Sequence, residues 1–267
     1  MTNPIIGLQD WFESPAGRYL LDWEHAQFEQ SVADIFGYHA LQLGLPALDA
    51  LRANRMPHRW LATATREDTV PQATLRIDFA ALPFQEASLD LVVLPHALDC
   101  HPDPHATLRE VARVLVPEGR VVICGFNPAS LWGLRRRRER LRRRFGVGAV
   151  LLPELGELIG YWRLRDWLHL LDFEIEDGHF GCYRPVLRSE KWLRRLDWMD
   201  RAGPRWWPIF GAVYFLVAVK RVHGVRLLGP AWKTATNRAA ASVPVTHRSG
   251  DHQALRRQEL DESFEPR

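Results

Sequence analysis

Residues 89 to 124 constrain the fold of this chain more than any other stretch. Residues 89–94 (LDLVVL) are continuously apolar, as a strand buried on both faces of a parallel sheet must be. Residues 103–115 (DPHATLREVARVL) read as a helix. Asp103 can cap it, Pro104 suits its first turn, and Leu108, Val111, Ala112 and Leu115 share one face. Pro117-Glu118-Gly119 ends that helix, and residues 120–124 (RVVIC) return to strand. Strand, helix and strand joined by short turns make a parallel βαβ unit, which requires a sheet covered by helices on its faces.

The same alternation extends in both directions. Residues 39–45, 59–65 and 73–77 read as strands, with a short helix expected over 46–54. A helix over 164–171, a strand over 173–177 and a last strand over 212–220 follow. The expected fold is therefore α/β: a doubly wound, mostly parallel seven-stranded sheet with an antiparallel last strand. Residues 1–36 are amphipathic and read as a helical cap, residues 37–225 as the main domain, and residues 226–267 as a mobile polar tail.

With 267 residues, a domain of this kind can bury a core without metals or disulfides. The apolar share of 46% and charged share of 25% exclude wholesale disorder. The three cysteines, Cys100, Cys124 and Cys182, are odd in number and widely spaced. That argues against a disulfide framework or a Cys-rich zinc module and for a cytoplasmic protein. The opening MTNPIIGLQDWFESP has no basic segment followed by a long apolar one, so no signal peptide is expected. The strongest apolar uncharged stretch, 206–219, is broken by Pro208 and Gly211 and falls short of the ~20 residues a spanning helix needs.

Net charge is only +3, but it is unevenly spread. From Arg135 to Arg144 the chain reads RRRRERLRRR, eight arginines in ten positions. Such a field attracts phosphate, in a nucleic acid or at an anionic membrane surface, or else it is a solvated helix face. Trp192, Trp198, Trp206, Trp207 and Phe210 are interleaved with Arg194, Arg195, Arg201 and Arg205. This pattern suits base stacking, an interfacial membrane contact, or a lid packed over the core.

Several motifs in residues 77–128 together resemble the second half of the class I S-adenosylmethionine-dependent methyltransferase domain, type 11 group. They are Asp78, Leu82-Pro83-Phe84, Ser88-Leu89-Asp90, Ala97-Leu98-Asp99-Cys100, Asp103-Pro104 and Arg113-Val114-Leu115-Val116-Pro117-Glu118-Gly119. The segments LRDWLHLLDFEIEDGHF and AVYFLVAVK are similar to the family's penultimate helix and last two strands. The resemblance implies a Rossmann-like methyltransferase fold, S-adenosyl-L-methionine as cofactor, and in-line methyl transfer to an unidentified acceptor. It also implies that a helix before the first strand covers the cofactor pocket.

The family's cofactor loop is Asp/Glu-x-Gly-x-Gly-x-Gly, because only glycines let the backbone turn tightly beside the ligand. This chain has Gln42-Leu43-Gly44-Leu45-Pro46 there, and only Glu67 or Asp68 could stand in for the family's ribose-binding carboxylate. The resemblance places Gly44, Leu45, Asp78, Phe79 and His96 at the cofactor. Asp78 would accept from the adenine amino group, and the Phe79 N–H would face the ring. His96, just past the fourth strand, is the candidate catalytic residue; it could serve as general base, touch the methionine end, or be a satisfied packing residue. His96, Cys100, His101 and His105 crowd together, but Pro102 and Pro104 break any helical spacing, and no metal is expected. Two rival readings stay open. One is a cofactor-free binding module using its Arg/Trp surface for RNA or protein; the other is a peripheral lipid or quinone methyltransferase.

Overall fold

The computed structural model describes residues 8, 11–64, 74–144, 155–187 and 189–221, without the side chains of 140–144. The tail expected over 226–267, the crossover after the second strand, and Glu67 and Asp68 lie outside these residues.

Seven strands form one sheet in the order β3-β2-β1-β4-β5-β7-β6. They are β1 (His39–Leu43), β2 (His58–Thr63), β3 (Leu75–Arg76), β4 (Leu89–Pro95), β5 (Leu115–Phe126), β6 (Phe173–Gly181) and β7 (Val213–Lys220). All pairings are parallel except those of β7, which runs antiparallel to both β5 and β6. This is the doubly wound sheet expected from the sequence, with its antiparallel last strand.

Alternate strand residues feed two apolar layers, as the period of two requires. Leu91 and Val93 of β4, with Val122 and Phe126 of β5, face α1 (Pro15–Val32). Val92, Leu94, Val121 and Ile123 instead face α3 (Pro104–Val114) and α5 (Tyr161–Leu170), the short α2 (Ala97–Cys100) lying just before α3. Helix α1 starts at Ser14, whose Oγ accepts from the Gly17 N–H at 3.0 Å, with Pro15 in the first turn. Its buried stripe runs Leu20, Glu24, Phe28, Val32, one residue per turn, and Phe28 meets Phe215 edge-on at 4.9 Å.

One expected element is absent. Residues 46–54 are turns rather than a helix. The Gln42 amide explains this: its Nε2 donates to the carbonyls of Gly44, Leu45 and Leu48, and its Oε1 accepts from the Ala50 N–H. Those carbonyls are thereby taken from the helical ladder, and Pro46 has no N–H to offer it. Strands β5 and β6 are longer than the expected 120–124 and 173–177: pairing with β7 carries both onward to Phe126 and Gly181. Strand β5 also begins early, at Leu115, which pairs with Leu89 of β4, so Pro117-Glu118-Gly119 lie within the strand rather than in a turn.

The ends of β4, β5 and β6 and the start of β7 lie at one edge of the sheet. There the chain leaves β5 into α4 (Leu131–Arg144), which carries the arginine run. It leaves β6 into α6 (Glu190–Arg195), α7 (Trp198–Trp206) and a 3-10 turn (Pro208–Phe210). Buried Asn127 locks the two excursions together: its Nδ2 donates to the Ile209 carbonyl at 2.8 Å and the Gly211 carbonyl at 2.9 Å, and its Oδ1 accepts from the Ala129 N–H. Among the described residues, no helix is long and apolar enough to cross a membrane. Asn127→Ala strips three bonds from this junction and should cost about 2–4 kcal/mol of unfolding free energy, measured by denaturant titration.

Candidate functional site

Ligands of open α/β sheets gather at the carboxyl edge, and this edge holds most of the residues singled out from the sequence. Gly44 follows β1 with φ +80, its N–H donating to the Ala62 carbonyl at 2.8 Å. That left-handed turn is why a glycine stands there. A Cβ on Gly44 would sit 3.7 Å from Ala97 Cβ and from Phe79 Cε2, so a single added methyl would fill the gap between the loop, the start of α2 and the Phe79 ring. Leu45 continues the left-handed path at φ 42 and is 2% exposed. Phe79 is buried and stacked on His101 at 5.7 Å. Asp78 is 66% exposed; its Oδ1 accepts from the Ala80 N–H at 2.9 Å and faces His101 Nε2 at 3.4 Å.

His96 lies in a different setting, sealed beneath α1. Its Nε2 is 2.6 Å from Glu24 Oε1 and its Nδ1 is 3.1 Å from Asp99 Oδ2. Its ring stacks on Phe126 at 4.3 Å. Asp99 Oδ2 also accepts from the Phe126 N–H at 2.9 Å, and Cys124 Sγ donates to Glu24 Oε1 at 3.3 Å. Burial disfavours a charged imidazole, but the Glu24 charge and the bonds to Asp99 and Glu24 outweigh it and push the His96 pKa up to about 10. With both ring nitrogens engaged and protonated, this imidazole has no lone pair with which to act as a base. The Cys124 thiol, raised by burial and by Glu24, is held neutral.

The carboxylate that organises this cluster was missed from the sequence. Glu24 stands one turn after Leu20 and one turn before Phe28, in the middle of an apolar stripe, and that position was the available signal. Three polar atoms of the cluster, Glu24 Oε2, Asp99 Oδ1 and the Tyr214 hydroxyl, have no hydrogen-bond partner among the described residues.

The histidines and cysteine that crowd together in sequence do not converge. His96 turns to Glu24, His101 to Asp78 and Thr107, and His105 packs on the Trp167 ring. Glu24, His96 and Cys124 do bring donor atoms within 4.8 Å of one another. Bonds of ~2.0–2.1 Å to a tetrahedral zinc would set an imidazole nitrogen and a carboxylate oxygen about 3.3 Å apart. At 2.6 Å, His96 and Glu24 hold each other as an ion pair instead.

The cofactor implied by the resemblance fits this edge at one end only. The Asp78 carboxylate is exposed; its Oδ1 is held by the Ala80 N–H and faces His101, so Oδ2 is the atom that would meet an adenine amino group. At the other end Gly44, Leu45, His96 and Ala97 are all buried against protein. Pro46 and Leu48, which fall at the family's second and third glycine positions, are buried as well. In this closed arrangement these residues leave the methionine end of the cofactor no exposed surface to bind.

The buried pair makes stability depend on pH. A charged His96 stabilises the fold fully below its ordinary value of 6.5, and that contribution is lost as pH rises through about 10. Thermal unfolding midpoints should therefore fall across that interval in the native chain, and His96→Gln should flatten that part of the profile. Glu24→Gln leaves the imidazole without its partner and should cost roughly 3–5 kcal/mol in denaturant unfolding.

Known proteins share this architecture. The methyltransferase domain family matches residues 52–123. An uncharacterized Escherichia coli (strain K12) protein, YafS, is 33% identical over 172 residues, spanning 64% of this chain and 67% of that protein. A chain from the complex between the Haloferax volcanii Trm112 methyltransferase activator and a methyltransferase superposes with a TM-score of 0.53 at 16% identity, covering 82% of this chain and 98% of that one. A SAM-dependent methyltransferase of Archaeoglobus fulgidus gives 0.52 at 16% identity, covering 75% and 94%. At such identities these two likenesses speak for the fold alone. The strand order, the motifs of residues 77–128, the domain match and the relative together place this chain in the class I S-adenosylmethionine-dependent methyltransferase family.

Proposed function

We propose that this chain is an S-adenosylmethionine-dependent methyltransferase whose cofactor edge is closed by α1 and accepts ligand only when that helix moves. The observation that carries the reading is the Glu24–His96 pair, which anchors α1 directly over the carboxyl edge. Two polar contacts flank it along the same helix: the Tyr19 hydroxyl donates to Asp200 Oδ1 at 2.5 Å, and Gln27 Oε1 lies 2.6 Å from His179 Nε2. Family membership, the left-handed turn at Gly44 and the exposed Asp78 carboxylate support the proposal.

With α1 displaced, Gly44 and Ala97 would line the methionine end and Asp78 with Phe79 the adenine end. S-adenosylmethionine brings its own leaving group when bound, so the protein's share is to align the acceptor and exclude water. The acceptor is not identified. The three cysteines are free thiols, which suits the reducing cytoplasm we assign to the protein.

A second reading, a cofactor-free binding protein, is favoured by one observation: Pro46 and Leu48 occupy two of the loop's glycine positions and are buried there. Calorimetric titration with S-adenosylmethionine and S-adenosylhomocysteine separates the two. A ligand that binds only an open minority state shows an affinity reduced by the open fraction. The gated enzyme therefore predicts weak binding to the native chain, at least about tenfold tighter binding to Glu24→Gln, and loss of binding in Asp78→Ala. If neither ligand produces heat with the native chain or with a folded Glu24→Gln variant, the second reading stands.

A further inference from the structure

Among the described residues, helix α4 and the insert after β6 carry large apolar side chains that are half or more exposed, or nearly so. Leu131 and Leu134 on α4 are 51% and 55% exposed, and Trp206, Ile209 and Phe210 of the insert are 75%, 45% and 48% exposed. Scattered singly, such residues would need no explanation. Here they are gathered. Asn127, four residues before Leu131, holds the Ile209 carbonyl at 2.8 Å, so the start of α4 and the 3-10 turn are neighbours. The Trp132 indole donates to the Arg184 carbonyl at 2.7 Å, and the Arg184 guanidinium in turn binds Asp197 and Asp200, which anchors α6 and α7 to the same connection.

The charges on this face are not all available. Arg136 is buried and donates to the carbonyls of Leu155 and Gly156, and Arg135 donates to Val186 and Glu139, so two members of the run serve packing. Arg137 and Arg138 on α4, and Arg201 and Arg205 on α7, are exposed. On α4 the outward residues Leu131, Leu134 and Arg138 follow a helical spacing, placing two leucines beside a guanidinium on one face.

We infer that this face docks on an anionic phospholipid surface, with arginines against the headgroup phosphates and Trp206, Ile209, Phe210, Leu131 and Leu134 in the interfacial layer. Basic residues draw a protein to a negative leaflet, and aromatic and aliphatic side chains inserted at acyl-chain depth hold it there. The aliphatic members decide between partners. An RNA offers phosphates to the arginines and bases to the tryptophans, but nothing to Leu131, Leu134 or Ile209. The inference concerns a surface and holds whether or not the chain transfers methyl groups.

The test is co-sedimentation of the full chain with vesicles of phosphatidylcholine alone and of equal parts phosphatidylcholine and phosphatidylglycerol, at low and high salt. The expected result is binding to the anionic vesicles only, weakened by salt, with a blue shift of tryptophan emission. Ile209→Asp with Phe210→Asp, and separately Arg137→Glu with Arg138→Glu, should each weaken it at least about tenfold while leaving the thermal unfolding midpoint in place. Failure to sediment with anionic vesicles at low salt overturns the proposal. So does a single-stranded RNA bound more tightly than the vesicles and unaffected by the Ile209 and Phe210 substitutions, because that result assigns the face to nucleic acid.

Discussion

A carboxylate buried in the apolar stripe of a helix is expensive unless something repays its lost hydration, and in this protein His96 does so. The Glu24–His96 contact joins α1 to the point where β4 ends, and Asp99 holds the far side of the same ring. His96 sits in the left-handed region at φ 53, a backbone state that is itself unfavourable for a non-glycine residue. The ion pair and the stack on Phe126 keep it there. The cap, the end of the fourth strand and the start of the fifth strand's exit loop are thereby tied into one buried cluster.

The loop after β1 shows how a family frame survives a change in its sequence. Glycines normally let a ligand approach the backbone. Here Gly44 keeps the turn, while the Gln42 amide supplies the organising bonds and Leu45 and Leu48 fill the space toward α1. The sheet is indifferent to this substitution because β1 still pairs in parallel with β2 along His39–Leu43 and with β4 over Ala40 to Gln42. Only the ligand edge registers the difference, by closing.

How much of this was legible in the chain differs from element to element. The unit spanning β4, α3 and β5 could be read because burial on both faces leaves an unbroken apolar run, and because Asp103 and Pro104 mark a helix start chemically: the Asp103 carboxylate accepts from the Ala106 N–H at 2.9 Å. The turns of residues 46–54 could not be read, because one side-chain amide outcompetes a helical ladder and no periodicity records that. Glu24 was hidden for a related reason: a charged residue on an amphipathic helix is ordinarily solvent-facing, and only its place between Leu20 and Phe28 says otherwise. Arg136 was hidden by its company, since a run of arginines reads as uniformly solvated although this one reaches the carbonyls of Leu155 and Gly156. The candidate cofactor residues lie at the carboxyl edge, and the sign that this edge is shut was the loop itself, where Leu45, Pro46 and Leu48 stand in place of a run of glycines.

The most direct measurement of that closure is a crystal structure of the chain soaked with S-adenosylhomocysteine. The account predicts ligand lying between Gly44 and Ala97, with Glu24 drawn away from His96 and α1 displaced from the edge. Ligand seated there with the 2.6 Å pair intact would contradict it, because the helix would then not be what closes the site.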